Sequence, residues 1–247
     1  MDDIVVVENL VRYFGDIVKT EVLRNISVSF KRGAFTAIIG PSGSGKTTFL
    51  NIISLLESPS SGKLYIDGKD FSTGDINEYS SFRNRNIGFI FQFHYLLPEF
   101  TALENILMPY WIGYGKPPVS MVKKAIRLMK EIDILNVKDK FPNQMSGGQQ
   151  QRVAIARALL NEPKIVFADE PTGNLDRETG FAVLDVMRRM VKEKGTTLIM
   201  VTHDRDIAIK ADRILELVDG EICKSFIVKE KGEKKTRELL EDRTCVF

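Results

Sequence analysis

Short runs of almost wholly apolar residues recur along the chain, and each stops abruptly at a polar or glycine-rich stretch. Phe35-Thr36-Ala37-Ile38-Ile39, Ile87-Gly88-Phe89-Ile90-Phe91, Ile165-Val166-Phe167-Ala168 and Thr197-Leu198-Ile199-Met200-Val201-Thr202 are such runs. Their length and lack of alternation predict strands covered on both faces, as in a parallel sheet. Residues up to about Ile66 read as β-rich, with Asp67-Gly68 marking a hairpin, and Asp219-Gly220 marks a late one. Helical stretches are expected from Lys46 to Leu56, over Asp75 to Arg85, and over Arg177–Lys194, the last ended by Gly195.

From Phe93 to about Leu160 strand alternation is missing and the pattern is helical. Val122, Ile126, Met129 and Ile132 share one helix face, which we read as core packing. Phe141-Pro142 breaks the pattern before a second helical run, Gln150 to Leu160, with Val153, Ala154, Ala156 and Leu160 at apolar spacing. The tail from Lys224 mixes charges and reads as a surface helix or partly disordered segment. No internal repeats occur.

The polar stretches between these elements carry the chemistry. Gly40-Pro41-Ser42-Gly43-Ser44-Gly45-Lys46-Thr47 follows one apolar strand and opens a helix. Glycines at 40, 43 and 45 permit backbone turns closed to other residues, so N–H groups can converge on phosphate oxygens. The helix N-terminus adds partial positive charge at the same point. Lys46 would reach the β- and γ-phosphates, the Thr47 hydroxyl would ligate Mg²⁺, and Thr48 beside it would contact the nucleotide. A Gly-Ser linker that merely contains a lysine would lack this strand-loop-helix setting. ATP or GTP binding follows.

Asp169 closes another buried strand, where ligands of open α/β sheets collect. Its carboxylate would hold the metal, and Glu170 is the candidate base for the attacking water. Ser146-Gly147-Gly148-Gln149 opens a helix and forms a second anion-binding end without a lysine of its own. One chain thus carries two phosphate-binding ends, usable together if two copies pair and share each nucleotide.

On these motifs the chain resembles the nucleotide-binding subunits of ATP-binding-cassette (ABC) transporters, from about Val5 to Cys223. The resemblance implies an α/β P-loop NTPase (RecA-like) core, an N-terminal antiparallel β subdomain and an inserted helical subdomain at about 93–160. The ATPase domain would cover 1–225 and a charged tail 226–247. It further implies that Tyr13 stacks on adenine, with Phe14 as a rival. Gln92 would contact Mg²⁺ and report nucleotide state, Asp176 after Leu175 would cross a dimer interface, and His203 would contact the γ-phosphate. Ser146, Gly147, Gly148 and Gln149 would grip ATP bound to the opposite copy. Met145 departs from the leucine usual in the family, a swap of similar volume. His94 reads as a loop residue without catalytic duty. Phe91-Gln92-Phe93-His94-Tyr95-Leu96-Leu97-Pro98 through Ile106, and Asp169 through Asp176, resemble lipoprotein-releasing ATPases in particular. Macrolide-export and cell-division relatives share the second run and parts of the first. Pro109-Tyr110-Trp111-Ile112-Gly113-Tyr114 would either face a membrane partner or pack within the helical subdomain.

Composition narrows the partners. A net charge of +2 over 247 residues gives no nucleic-acid signature. No apolar stretch approaches the roughly 20 residues that span a bilayer, and Asp2 and Asp3 do not suit a secretory signal. Any membrane link would therefore come from a partner, which the resemblance implies to be integral permease subunits at the cytoplasmic side of the inner membrane. Cys223 and Cys245 show no metal-ligand spacing and no disulfide framework. Chromosome-maintenance ATPases insert long heptad coiled coils where this chain has only the short stretch from Gln92 to Ser146. Soluble ribosome-acting relatives carry two cassettes, and nucleotide kinases have no use for Ser146-Gly147-Gly148-Gln149.

Overall fold

The computed structural model describes residues 3–15, 18–73 and 76–241. Asp2, Asp75 and Cys245 lie outside them. In chain order the first elements are β1 (Asp3–Phe14), β2 (Thr20–Lys31), β3 (Phe35–Ile39), α1 (Lys46–Ile53), β4 (Ser61–Ile66), β5 (Lys69–Asp70) and α2 (Ile76–Asn86). There follow β6 (Ile87–Ile90), α3 (Ala102–Tyr114), α4 (Val119–Glu131), α5 (Gly147–Leu159), β7 (Ile165–Asp169) and α6 (Arg177–Lys194). The chain closes with β8 (Thr197–Val201), α7 (Arg205–Ala208), β9 (Arg213–Val218), β10 (Glu221–Ile227), α8 (Val228–Lys231) and α9 (Glu233–Glu241). These elements form two compact units, Met1–Tyr79 with Thr197–Phe247, and Ser80–Thr196.

The first unit contains an antiparallel sheet in the order β2-β1-β4-β5. Val5, Val7 and Leu10 of β1 point into its core, and the register with β2 shifts between Val7 and Leu10, around Asn9 at φ 50°. A second sheet has β3 at its centre, parallel to β8 on one side and to β9 on the other. All five residues of β3 and all five of β8 are buried, as their unbroken apolar runs predict. Asp219 and Gly220 take φ 48° and 82° to turn β9 into antiparallel β10. Asp67 and Gly68 do the same between β4 and β5, at φ 52° and 76°.

Helix α1 is shorter than its apolar spacing predicts. Leu55 takes φ 64°, and the Asn51 carbonyl accepts from both Leu56 and Glu57 N–H, so the chain curls back after Ile53. The tail is largely surface helix, as expected, but differs at its start and in its docking. Strand β10 continues to Ile227, and α9 docks through buried Thr236 and Leu240.

In the second unit β6 runs parallel to β7, with Gly88 opposite Val166. A Cβ on Gly88 would lie 2.5 Å from the Ala158 carbonyl oxygen, so glycine lets α5 come down onto the strand. Helix α5 is central: Val153, Ala154, Ile155 and Ala156 in succession are fully buried. On α4 the buried face is Ala125, Leu128 and Met129, followed by Ile132, while Val122 and Ile126 are half-buried. Helix α3 begins with a capping box between Thr101 and Glu104. Buried Asn105 accepts from Leu97 N–H and donates to the Leu97 and Phe100 carbonyls, which fixes the segment ahead of α3. Helix α6 spans Arg177–Lys194 and ends at Gly195 in the left-handed conformation, as the sequence predicts.

Candidate nucleotide site

In the first unit, β3 delivers the chain into a loop at Gly40 with φ 152°, and Gly43 and Gly45 follow at φ 79° and 95°. Space as well as conformation demands glycine at two of them. A Cβ on Gly40 would meet the Leu217 carbonyl oxygen at 2.0 Å, and one on Gly45 would meet Leu23 Cδ2 at 2.7 Å and the Val22 oxygen at 3.0 Å. Gly45 caps α1 without a side-chain acceptor, and the first turn holds no acidic residue. The N-terminal amides and their positive end of the helix dipole are thus left for an anion.

The Lys46 ammonium is nearly buried and donates to the Gly40 and Pro41 carbonyls at 3.0 and 2.8 Å, folding the side chain over the loop. Ser44 Oγ is buried and makes no hydrogen bond within the protein. A buried hydroxyl without a partner, between the left-handed Gly43 and Gly45, suits a phosphate oxygen. Gly43, Gly45, Lys46, Thr47 and Thr48 line a cleft of about 260 Å³ together with Val22 of β2. Ser42 is exposed on the same loop and Thr47 is exposed at its end.

His203 joins this loop. The Thr202 N–H donates to the Ile38 carbonyl at 3.1 Å, which sets the end of β8 beside the end of β3. Asp204 caps α7 and takes its own N–H to Thr202 Oγ1 at 3.0 Å, leaving His203 exposed between two fixed residues. Gly40, Pro41 and His203 line one cavity of about 510 Å³ with Ile39, Arg205, Glu216 and Val218.

In the second unit Asp169 ends β7, half-buried, and Glu170 follows at φ 45°. That conformation is uncommon for a residue with a Cβ and marks a constrained position. The turn continues with Gly173 N–H donating to the Glu170 carbonyl and Leu175 N–H to the Thr172 carbonyl, each at 3.0 Å. A Cβ on Gly173 would lie 3.0 Å from Gln92 Nε2 and 3.2 Å from Glu170 Oε2. The glutamine amide and the glutamate carboxylate therefore converge over this glycine. Asn174 strengthens the link by donating from Nδ2 to the Gln92 carbonyl at 3.1 Å.

Ser146 caps α5: its hydroxyl accepts from Gln149 N–H at 3.3 Å, and Gln149 Oε1 accepts from Ser146 N–H at 3.0 Å. The hydroxyl proton remains available to donate outward. Gly147 and Gly148 lie in the first turn of α5, and neither has positive φ. This end of α5 is thus an ordinary helix N-terminus, without a left-handed glycine. Glycine matters for clearance at Gly148, where a Cβ would lie 2.6 Å from Thr179 Cγ2, whereas a Cβ on Gly147 would meet Leu175 Cδ2 at an ordinary 3.7 Å. Asp176 caps α6, and hydrogen bonds from the Thr179 side chain and amide hold its carboxyl below the usual carboxylate range.

Tyr13 lies partly exposed on β1, and its phenol is raised above its usual range by Glu21, through a hydrogen bond and through charge. Phe14, equally exposed, is covered by the Arg12 guanidinium at 4.6 Å from the ring centre. His94 is half-buried in the second unit, and burial, with the nearby Arg157 cation, holds its imidazole below the usual range. Arg157 donates to the carbonyls of His94 and Tyr95 at 2.7 and 2.6 Å. Val22, Gly173 and Gly220 are site residues the sequence reading missed. The Asp219-Gly220 turn signal was legible, but nothing in it pointed to the phosphate loop.

The described residues contain no cluster of three or more His, Cys, Asp or Glu side chains that could hold a metal alone. Mg²⁺ suits such a donor set, because it needs few protein ligands when substrate phosphates and water complete its shell. In the second unit, Gln92 and the half-buried Asp169 are oxygen donors of that kind.

A parallel sheet whose central strand opens into this glycine loop and an uncapped helix defines a P-loop nucleoside triphosphatase. A family model described as ABC transporter matches residues 23–173. The chain belongs to that family, and it is an ABC-type ATPase. The lipoprotein-releasing system ATP-binding protein LolD 1 of Rhodopseudomonas palustris is 47% identical over 211 residues, covering 85% of this chain and 92% of that protein. The LolD protein of Aquifex aeolicus is 47% identical over 202 residues, 82% of this chain and 89% of that one. The macrolide export ATP-binding/permease protein MacB of Mannheimia succiniciproducens is 46% identical over 221 residues, 89% of this chain but only 34% of its own length. Among solved structures, a dimeric ATP-binding cassette in a post-hydrolysis state with ADP and Pi superposes with a TM-score of 0.84 at 39% identity. That match covers 91% of this chain and 98% of the other.

Proposed function

We propose that the chain is the ATP-hydrolysing subunit of a lipoprotein-releasing transporter, working as a pair of copies on the cytoplasmic side of the inner membrane. The observation that carries the hydrolytic part is the convergence of Gln92 and Glu170 over Gly173. A base and a sensing amide so placed respond to one nucleotide together. The likeness to LolD proteins along most of both chains supports the lipoprotein substrate.

ATP binds with its phosphates on the 40–47 loop, where Lys46 exchanges the Gly40 and Pro41 carbonyls for phosphate oxygens. Tyr13 stacks on the base. Thr47, Gln92 and Asp169 would hold Mg²⁺, which would supply positive charge to neutralise the phosphates. Glu170 takes the proton of the attacking water, and His203 donates to the γ-phosphate as charge shifts onto the leaving group. Ser146 and the α5 N-terminus, with Gly147, Gly148 and Gln149, serve the nucleotide of the second copy, and Asp176 lies at the boundary between copies. Positioning and electrostatics supply the rate, as in phosphoryl transfer generally.

No helix among the described residues is long and apolar enough to cross a membrane. Permease subunits therefore provide the membrane link in this reading. Phe93, Tyr95, Trp111, Ile112 and Tyr114 are exposed in the second unit and offer the apolar surface for it. The deciding experiment reconstitutes the chain with its membrane subunits in proteoliposomes carrying an acylated lipoprotein. ATP-dependent release of the lipoprotein is the expected result. Export of a small macrolide with no lipoprotein release would favour the macrolide-export reading instead.

A further inference from the structure

Lys224 is only 5% exposed, although lysine is rarely buried unless a partner compensates its charge. A register shift in β10 between Ile222 and Lys224 breaks the alternation, so Cys223 and Lys224 are buried in succession. The ammonium donates to the Leu239 carbonyl at 3.2 Å. Leu239 lies in the last turns of α9, where helix carbonyls carry partial negative charge. The same ammonium is 3.7 Å from Glu216 Oε2, an oxygen that is buried and accepts no hydrogen bond. Lys224 is therefore the compensating charge for that carboxylate.

Glu216 stands next to the phosphate loop. It pairs with Ile39, the last residue of β3, and lines the cavity shared by Gly40, Pro41, His203 and Arg205. The following carbonyl, that of Leu217, occupies the space that excludes a Cβ from Gly40. Helix α9 also holds the segment that follows His203. Arg237 pairs with Asp206, three positions beyond His203, and Glu233 pairs with Lys210 at 2.9 Å.

We propose that Lys224 is a positioning residue for ATP hydrolysis: it fixes Glu216 and docks α9, and through them holds Gly40 and the His203 segment in their working geometry. The C-terminal helix thereby sets the turnover rate without touching nucleotide. This inference rests on the reading of the 40–47 loop and His203 as the phosphate end of the ATP site.

The test compares full-length wild type with Lys224→Met, Lys224→Met/Glu216→Gln and Arg237→Ala, measuring affinity for a fluorescent ATP analogue, steady-state kcat and thermal unfolding. For Lys224→Met, kcat falls by roughly tenfold or more, since small misplacements remote from the chemistry carry such costs, while nucleotide affinity stays within about twofold. The double variant recovers much of the rate, because no carboxylate is left buried without its cation. Arg237→Ala, on the exposed side of α9, gives a smaller loss in kcat with affinity retained. It supplies the answer even if Lys224→Met does not fold. Wild-type kcat in Arg237→Ala, or in a folded Lys224→Met, overturns the proposal. So does a double variant no faster than Lys224→Met alone. A wild-type chain that binds ATP but never hydrolyses it would instead refute the function above, and this inference with it.

Discussion

The Gly220 amide donates to the Ser44 carbonyl at 3.2 Å, so the turn between β9 and β10 is bonded directly to the phosphate loop. The Gly220 carbonyl in turn accepts from Arg24 N–H at 2.9 Å. A Cβ on Gly220 would lie 2.5 Å from the Val22 oxygen, which also approaches the position a Cβ would take on Gly45. One carbonyl on β2 is therefore held between two glycines from distant parts of the chain.

Gly220→Ala consequently meets both a clash with backbone and a φ of 82°. We expect it to destabilise the protein by about 1–3 kcal/mol and to weaken ATP binding as the loop shifts. Thermal unfolding and nucleotide titration of the same sample check both effects. An unchanged ATP affinity would show that the turn does not brace the loop.

Glu170→Gln keeps the shape of the side chain and removes its basicity. Hydrolysis should slow by a factor on the order of 10² or more while ATP still binds, and the stalled chain should accumulate as a dimer. Single-turnover hydrolysis and light scattering in ATP measure the two outcomes. Normal turnover would move the base elsewhere.

Ser146→Arg places a long cation at the N-terminus of α5, on the surface that would serve the second copy. Turnover should be abolished, while binding of ATP to the isolated chain stays near wild type. Mixing this variant with Lys46→Ala sharpens the test. Paired copies that share sites regain partial activity in the mixture, because one site per mixed pair has both of its halves intact. Activity of Ser146→Arg alone would exclude the shared site.

His94 provides a pH prediction. Burial holds its imidazole below the usual value, so the folded chain takes up its proton less readily than the unfolded chain. Its contribution to stability is complete above the unfolded-state value of about 6.5 and is lost as pH falls from there through the folded-state value. Unfolding temperature should thus drop over that acid range, and His94→Gln should flatten the drop. An equally steep profile in the variant would assign the effect to other groups.

Much of this site was legible because its chemistry is local in sequence. The 40–47 loop needs glycines, a lysine and a hydroxyl within one turn, and the apolar strand before it is unmistakable. Asp169-Glu170 and His203 were readable because each ends a buried strand. What escaped the sequence is contact between remote segments. Nothing near Val22 marks its carbonyl as the wedge between Gly45 and Gly220. Gly173 looked like part of a turn until Gln92 and Glu170 were found converging on it. The shortness of α1 came from Asn51 and Leu55, whose hydrogen bond and left-handed backbone break a helix that apolar spacing alone would extend. Lys224 read as the start of a solvated tail, because charge predicts exposure and only a strand irregularity turned it inward.

The absent side chain at position 173 has a wider consequence. Because Gln92 and Glu170 look into the same small gap, mutation cannot retune the sensing group without also disturbing the hydrolytic one. Selection acting on how tightly a transporter couples fuel to work would find both traits inherited as one, since a methyl group in the gap presses on both side chains at once.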